Sequence, residues 1–324
     1  MTKKLNFIFS AIIFLFFIYL SIILALNSGY NNAVKEGINL WVACVIPSLF
    51  PYLFITSVLS HLQFTSKVGS FLSPLTKRTF NCSGAVGYAF LISTLSGYPL
   101  GAKTISDLKL NGVIDEHQAV RGACACSSSS PMFLISSVGA IMFCSRLFGL
   151  KLFAVHLVCT IINGFIFSFY KRNNKPSNNQ TLPTLNSDNL LYDSVYSAVI
   201  SILVVGGLIT IFYLLTEVLL ALGFLSPIIK MLTLITGSEQ TSKAIVLGTF
   251  ECTKGLKALS VSKYSIFTLP ICASICGFGG FSVIAQSIAY LKKAKIKTAP
   301  FLLSKVTSAV LNFIIGLLFS IFSI

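Results

Sequence analysis

Hydrophobic residues run along this chain in long blocks separated by short polar punctuation. The first, Leu5–Leu26, contains no charge and follows Lys3 and Lys4. About 20 helical residues cross a bilayer, so this block predicts an uncleaved transmembrane helix. A secretory leader has a shorter apolar core and a small-residue cleavage site. Comparable blocks at Asn39–Ser60, Leu150–Tyr170, Ser194–Leu222 and Pro300–Ile324 predict four more spans. Between the third and fourth of these five blocks, Lys171–Asn189 (KRNNKPSNNQTLPTLNSDN) is polar and rich in Pro and Asn, the composition of a linker.

Composition sharpens the class. Only 10% of the 324 residues are charged and 55% are hydrophobic, with a mean hydropathy of +0.85. Soluble domains carry about 25% charged residues, so a water-soluble globular protein and a disordered chain are both excluded. The net charge of +15 points to nucleic acid in a soluble protein and to cytoplasmic basic loops in a membrane protein. Placement decides between them. Twelve of the 24 basic residues fall in four segments that each border an apolar block. These are Lys3 and Lys4; Lys67, Lys77 and Arg78; Lys171, Arg172 and Lys175; and Lys292, Lys293, Lys295 and Lys297. With all four inside, the N-terminus is cytoplasmic and the linker faces the cytoplasm. The basic excess becomes a topology signal, and no nucleic-acid partner is expected. Lys254, Lys257 and Lys263 fit this scheme less well.

The linker divides the chain into halves of similar plan. Each opens with a long apolar helix, Leu40–Ser60 or Val195–Leu222. Each continues with a short apolar segment broken by polar residues and glycine, Phe90–Lys103 or Ile245–Lys257. Each then has a second interrupted segment, Cys126–Gly139 or Cys276–Ser287, and closes with a full span. Gly97 precedes Glu251 by 154 residues and Ser130 precedes Gly279 by 149. The expected orientation starts the first half outside and the second inside. The fold expected is an all-α polytopic membrane protein of two inverted repeats with discontinuous or re-entrant helices, plus an extra N-terminal transmembrane helix. Its parts are residues 1–37 (first helix and external loop), 38–170 (first repeat), 171–190 (linker) and 191–324 (second repeat). Inverted repeats with broken helices are the signature of secondary transporters, and the breaks point to the site. Unwound backbone inside a bilayer must be paired or line a watery cavity.

The candidate substrate-binding residues lie at those breaks. Glu251, between Thr249 and Thr253, is a carboxylate in an apolar setting and so a functional candidate by default; the alternative is a helix-end glutamate paired with Lys254. Glu217 either faces the interior or reaches the interface. Ser128, Ser129 and Ser130, followed by Pro131, either bind a solute or satisfy backbone that the proline disrupts. Ser96, Gly97, Tyr98 and Pro99 form the corresponding break in the first half. Gly277, Gly279 and Gly280 permit close backbone approach or positive φ. Ser282 and Gln286 share a helical face. Lys103 either anchors at an interface or enters the cavity, and His156 is expected to be a packing residue. The nine cysteines lack CxxC spacing, so buried small hydrophobes are expected rather than a disulfide scaffold or metal site. HExxH, GxSxG, Walker and GxGxxG sequences are absent, so the chain is not expected to be an enzyme, to hydrolyse ATP or to carry a metal or cofactor.

These motifs also carry a resemblance. VKEGINLWVACVIPSLFPYLF (Val34–Phe54), LSGYPLGAK (Leu95–Lys103), SSSSPMFLIS (Ser127–Ser136) and ICGFGGFSV (Ile275–Val283) together resemble the family of the sporulation integral membrane protein YlbJ, over nearly the whole chain. The resemblance implies a multi-pass membrane protein of spore formers that acts in sporulation and spore cortex formation. It also implies Gate-like (nucleoside-recognition) repeats, as in spore maturation proteins SpmA and SpmB and, distantly, concentrative nucleoside transporters. Glu251 matches the Glu of the transporters' Asn-Glu-Phe signature, and Cys276-Gly277-Phe278 with Phe281-Ser282 match a later hairpin. Phe250, Cys252 and Gly279-Gly280 depart from the pattern, removing both amides that would read a nucleoside. The expected activity is passage of a small polar solute, with a coupling ion, across the lipid bilayer; the alternative is a scaffold or assembly factor on a transporter-like fold.

Overall fold

The computed structural model describes residues 28–61, 64–171 and 189–322, with isolated positions between 11 and 22. The helix expected over Leu5–Leu26, apart from those positions, and linker residues 172–188 lie outside the described residues. The described residues form helices joined by turns and short breaks, with no strand among them. Five helical stretches are long and apolar enough to cross a membrane: Gly29–Leu59, Arg146–Phe167, Leu190–Ala221, Thr268–Lys293 and Ala299–Phe322. The chain is a multi-pass membrane protein.

The first of these departs from expectation. An external loop is expected up to residue 37, yet α1 (Ser28–Leu40) runs through a π-helical turn, Trp41–Val45, into α2 (Ile46–His61). The physical reason is an amphipathic stripe: Tyr30, Ala33, Gly37 and Leu40 recur at helical spacing and are buried. A Cβ on Gly37 would stand 3.2 Å from the Thr210 Cα, so this stripe lies directly on α8 (Leu190–Ala221). The π turn leaves Cys44 O to accept from both Ser48 Oγ and Ser137 Oγ, each at 2.8 Å. Gly206 of α8 makes room for the Trp41 indole, whose Cε2 lies 2.3 Å from where a Cβ would sit.

After α3 (Phe64–Phe80) the first half proceeds through α4 (Gly84–Ser96), α5 (Leu100–Leu110), α6 (Glu116–Ala125), a π-helical segment (Phe133–Met142) and α7 (Arg146–Phe167). After α8 and α9 (Ser226–Thr236) the second proceeds through α10 (Glu239–Phe250), α11 (Cys252–Ser260), α12 (Thr268–Phe278), α13 (Gly280–Lys293) and α14 (Ala299–Phe322). Element for element, the order is the same. α3 and α4 touch closely enough that a Cβ on Gly84 would fall 1.9 Å from Gly69 O.

The cores show how the halves interlock. One cluster joins Val86, Ile105 and Ala123 of α4, α5 and α6 to Leu291 of α13 and Phe301 of α14. The other joins Ala244, Leu256 and Cys272 of α10, α11 and α12 to Leu134 of the π segment and Leu152 of α7. Exchanging the halves converts one list of elements into the other. Each half lends its last broken helix and closing span to the other half's core. A third cluster packs Leu49 and Leu53 of α2 and Ile92 of α4 against Ile202 and Val205 of α8.

Candidate functional site

Four helix interruptions, two per half, meet at one place. At the first, α4 ends at Gly97, whose φ of +79° favours glycine; Tyr98 and Pro99, joined by a cis peptide bond, lead into α5. At the second, the chain leaves α6 and runs through Cys126–Ser130 to Pro131. There the Ser130 Oγ accepts from the Phe133 N–H at 3.2 Å and so caps the new helix. The third is a single extended residue, Glu251, that ends α10 and begins α11; its Oε2 accepts the Lys254 N–H at 2.6 Å. The fourth is Gly279, φ +82°, between α12 and α13.

The breaks pair within each half and then across. A Cβ on Gly97 would come 2.9 Å from Ser130 N, and one on Gly280 would come 2.9 Å from Cys252 N. Across the halves, Tyr98 donates its hydroxyl to Cys276 O at 2.9 Å. Lys305 of α14 places its Nζ 4.0 Å from the centre of the Tyr98 ring, a cation–π distance.

A cavity of about 50 Å³ opens at this junction. The residues lining it include Gly97, Tyr98, Ser129, Ser130, Glu251, Thr253, Gly279 and Gln286, eight of the candidates, together with Cys252. Val45, Leu49, Val205 and Ile209, from α2, its π turn and α8, close the apolar side. The other eight candidates stand behind this surface. Gly277 packs on Asn312, Gly280 backs onto Cys252, and Thr249 returns its hydroxyl to Val246 O at 2.6 Å. Ser128 donates to Ser129 O at 3.1 Å; Pro99 immediately precedes α5, and Pro131 begins the helix that follows its break. The buried hydroxyls of Ser96 and Ser282 have no hydrogen-bond partner among the described residues. Lys103 reaches Ser197 Oγ at 3.2 Å and does not line the cavity.

Glu251 is 1% exposed. The side-chain ion pair with Lys254 that stood as the alternative reading does not form. The Lys254 ammonium turns to α8, lying 2.9 Å from Glu217 Oε1 and 3.1 Å from Tyr213 O, with Thr216 Oγ1 as a further acceptor. Lys257 meets Glu36 at 3.4 Å. Two of the three lysines that fitted the topology poorly are therefore matched by glutamates.

Three features escaped sequence reasoning. His156 does more than pack: its Nε2 accepts the Ser129 N–H at 3.0 Å and its Nδ1 faces Asn312 Oδ1 at 3.2 Å. That network assigns the proton to Nδ1 of a neutral ring. Lys305 is 1% exposed, and its Nζ has no hydrogen-bond partner among the described residues. Its place inside the apolar stretch FLLSKVTSAVLN was a usable signal, by the same logic that singled out Glu251. The apolar wall from α2 and α8 carried no chemical signal. All nine cysteines are free and only Cys144 is exposed. No group of three or more His, Cys, Asp or Glu side chains forms a metal-holding cluster among the described residues.

No protein-family model matches the chain. No solved structure matches it. A curated relative does: the sporulation integral membrane protein YlbJ of Bacillus subtilis (strain 168), 28% identical over 334 aligned positions that cover 95% of this chain and 81% of the relative. That match runs through all four breaks and the spans that hold them, so the chain is similar along nearly its whole length to a sporulation integral membrane protein.

Proposed function

We propose that this chain carries a small polar solute across a membrane during sporulation. One observation carries the reading: four helix breaks, contributed by both halves, converge on a single buried cavity with polar groups on its wall. Broken helices at a repeat interface are where secondary transporters bind their cargo. A scaffold has no use for the exposed backbone that such breaks create.

The geometry also bears on the cargo. Three of the breaks are followed by a helix whose early residues line the cavity, the π segment, α11 and α13, and at the fourth Gly97 and Tyr98 line it just before α5. First-turn N–H groups lack intrahelical acceptors and carry the positive end of the helix dipole. Ser130 accepts the Phe133 N–H, and Glu251 accepts the Lys254 N–H. The remaining donors, with the Gln286 amide, suit a solute bearing acceptor oxygens. A cavity of about 50 Å³ holds roughly three or four water-sized groups. The two missing amides argue against a nucleoside as the cargo. The two halves are read as inverted, with the N-terminus in the cytoplasm, and the reading involves no covalent step.

The scaffold reading draws on one observation of its own, that the Glu251 carboxylate is engaged as a helix cap. Glu251→Gln separates the two. The amide oxygen keeps an acceptor for the cap but removes the charge, so a transporter loses solute flux and spore formation at normal expression. Full sporulation with that variant would overturn the transport reading.

A further inference from the structure

We infer that Lys305 is a solute-contacting residue of this cavity, its ammonium held in reserve for an acceptor group of the cargo. The inference rests on the transport reading and adds to it a residue from outside the four breaks.

Lys305 lies on α14, six residues into a span that starts at Ala299, or roughly 9 Å along the helix axis. It is among the largest fully buried side chains of the protein. An ammonium has three donors and no acceptor capacity, yet the Lys305 Nζ has no hydrogen-bond partner and no ion pair among the described residues. What it meets is the face of Tyr98 at 4.0 Å and, farther away, the Phe301 ring at 5.9 Å. It also sits 3.5 Å from the point where a Cβ on Gly279 would lie. Tyr98 and Gly279 are both cavity wall. The lysine therefore stands immediately behind the polar surface, at the start of α13.

The other buried lysine provides a contrast within the same molecule. Lys254 is 5% exposed, yet its ammonium has Glu217, Thr216 and the Tyr213 carbonyl. A structural buried lysine here is fully partnered, and Lys305 is not. Burying an unpaired charge is costly and normally avoided. A second orphaned donor, Gln286 Nε2, is on the cavity wall itself. Two buried donors without acceptors, one on the cavity wall and one behind it beside Gly279, are what cargo oxygens complete. Tyr98 is the movable element: its hydroxyl is tethered to Cys276 O by one hydrogen bond, and its ring lies between Lys305 and the cavity.

The test combines function with stability, because the two move in opposite directions only if the charge serves a ligand. Lys305→Met and Lys305→Gln are expressed in the sporulating host, and each protein is purified for thermal unfolding in detergent. The expected result for Lys305→Met is a rise in Tm of a few degrees together with loss of spore formation, and Lys305→Gln also fails in sporulation. Normal sporulation with either variant overturns the inference. So does an unchanged or lowered Tm for Lys305→Met, which marks a structural lysine. Glu251→Gln run in parallel separates the two levels. A defect there with normal Lys305 variants removes only Lys305 from the site, whereas normal sporulation in all three removes the transport reading.

Discussion

Glu251 and Lys254 stand three residues apart, and their link is a backbone one: the carboxylate accepts the Lys254 N–H at 2.6 Å, while the ammonium crosses to Glu217 at 2.9 Å. One lysine thereby anchors α11 to α8 without neutralising the cavity carboxylate. Breaking a fully buried ion pair costs about 3–5 kcal/mol. Glu217 is 38% exposed on its side chain, which screens the pair, so Glu217→Gln is expected to cost about 1–2 kcal/mol. A double-mutant cycle with Lys254→Met, read by unfolding in detergent, should return a coupling energy above about 0.5 kcal/mol. Strict additivity would show that the anchor is held by Thr216 and Tyr213 alone.

The Ser129–His156 contact makes a second prediction. His156→Leu leaves the buried Ser129 N–H without an acceptor, a loss of about 1–3 kcal/mol. His156→Gln can present an amide oxygen to the same N–H and should recover part of it. Because Ser129 lines the cavity, the Leu variant should lower activity as well as Tm. Equal stability of the Leu and Gln variants would argue that the ring serves only to fill space.

Two glycines should respond in opposite ways to alanine. A Cβ on Gly101 would lie 1.8 Å from Cys126 O, backbone against backbone at the junction of the first two breaks. Gly101→Ala is therefore expected to prevent folded protein from accumulating. Gly207, inside α8, has nothing within 4 Å of its Cβ position. Gly207→Ala should stabilise by about 0.5–1 kcal/mol, the helical preference for Ala over Gly. Size-exclusion yield for the first and Tm for the second are the measurements.

Asp115 gives a pH prediction outside the spans. It caps α6 by accepting from Gln118 N at 2.8 Å and Gln118 Nε2 at 3.0 Å. Burial pushes its carboxyl up, but the Gln118 and His117 hydrogen bonds and the Arg121 charge outweigh that and hold it below the usual carboxylate range. A carboxyl lowered by folding stabilises above its unfolded value, and that stability is lost as pH falls through its folded value. Asp115→Ala should cost about 1 kcal/mol at neutral pH and give a shallower loss of Tm on acidification than the parent. Parallel acid limbs would exclude this role.

How far these relationships could be read beforehand depends on their range. Four of the five spans were legible because long apolar blocks have no other stable home, and all four breaks were legible as glycine, proline or charge inside such blocks. The helical state of residues 28–37 was not, since its cause is a stripe of Tyr30, Ala33 and Gly37 that matters only once α8 lies against it. The partner of Lys254 lay beyond sequence reasoning for a related reason. Sequence offers the neighbour three residues away, whereas folding offers Glu217 from another helix. Lys305 was overlooked because the basic residues had been weighed as topology markers, and a single lysine inside the last span was not weighed as chemistry.

The inverted arrangement itself can be tested with a residue already present. If the basic clusters face the cytoplasm, α7 runs inward to Lys171, and its start, just after Cys144, is outside. The turn holding Lys295, between α13 and α14, occupies the corresponding place in the second half and must then be inside. Cys144 is the one exposed cysteine of the nine, so no cysteine-free background is required. In intact cells a membrane-impermeant maleimide should label the parent protein, and Cys144→Ser should abolish that labelling. In the Cys144→Ser background, Lys295→Cys should become labelled only after the membrane is permeabilised. Labelling of both positions from the same side would mean that the halves run parallel. The shared order of elements would then be a direct repeat, and the cavity would lose the symmetry on which alternating access depends.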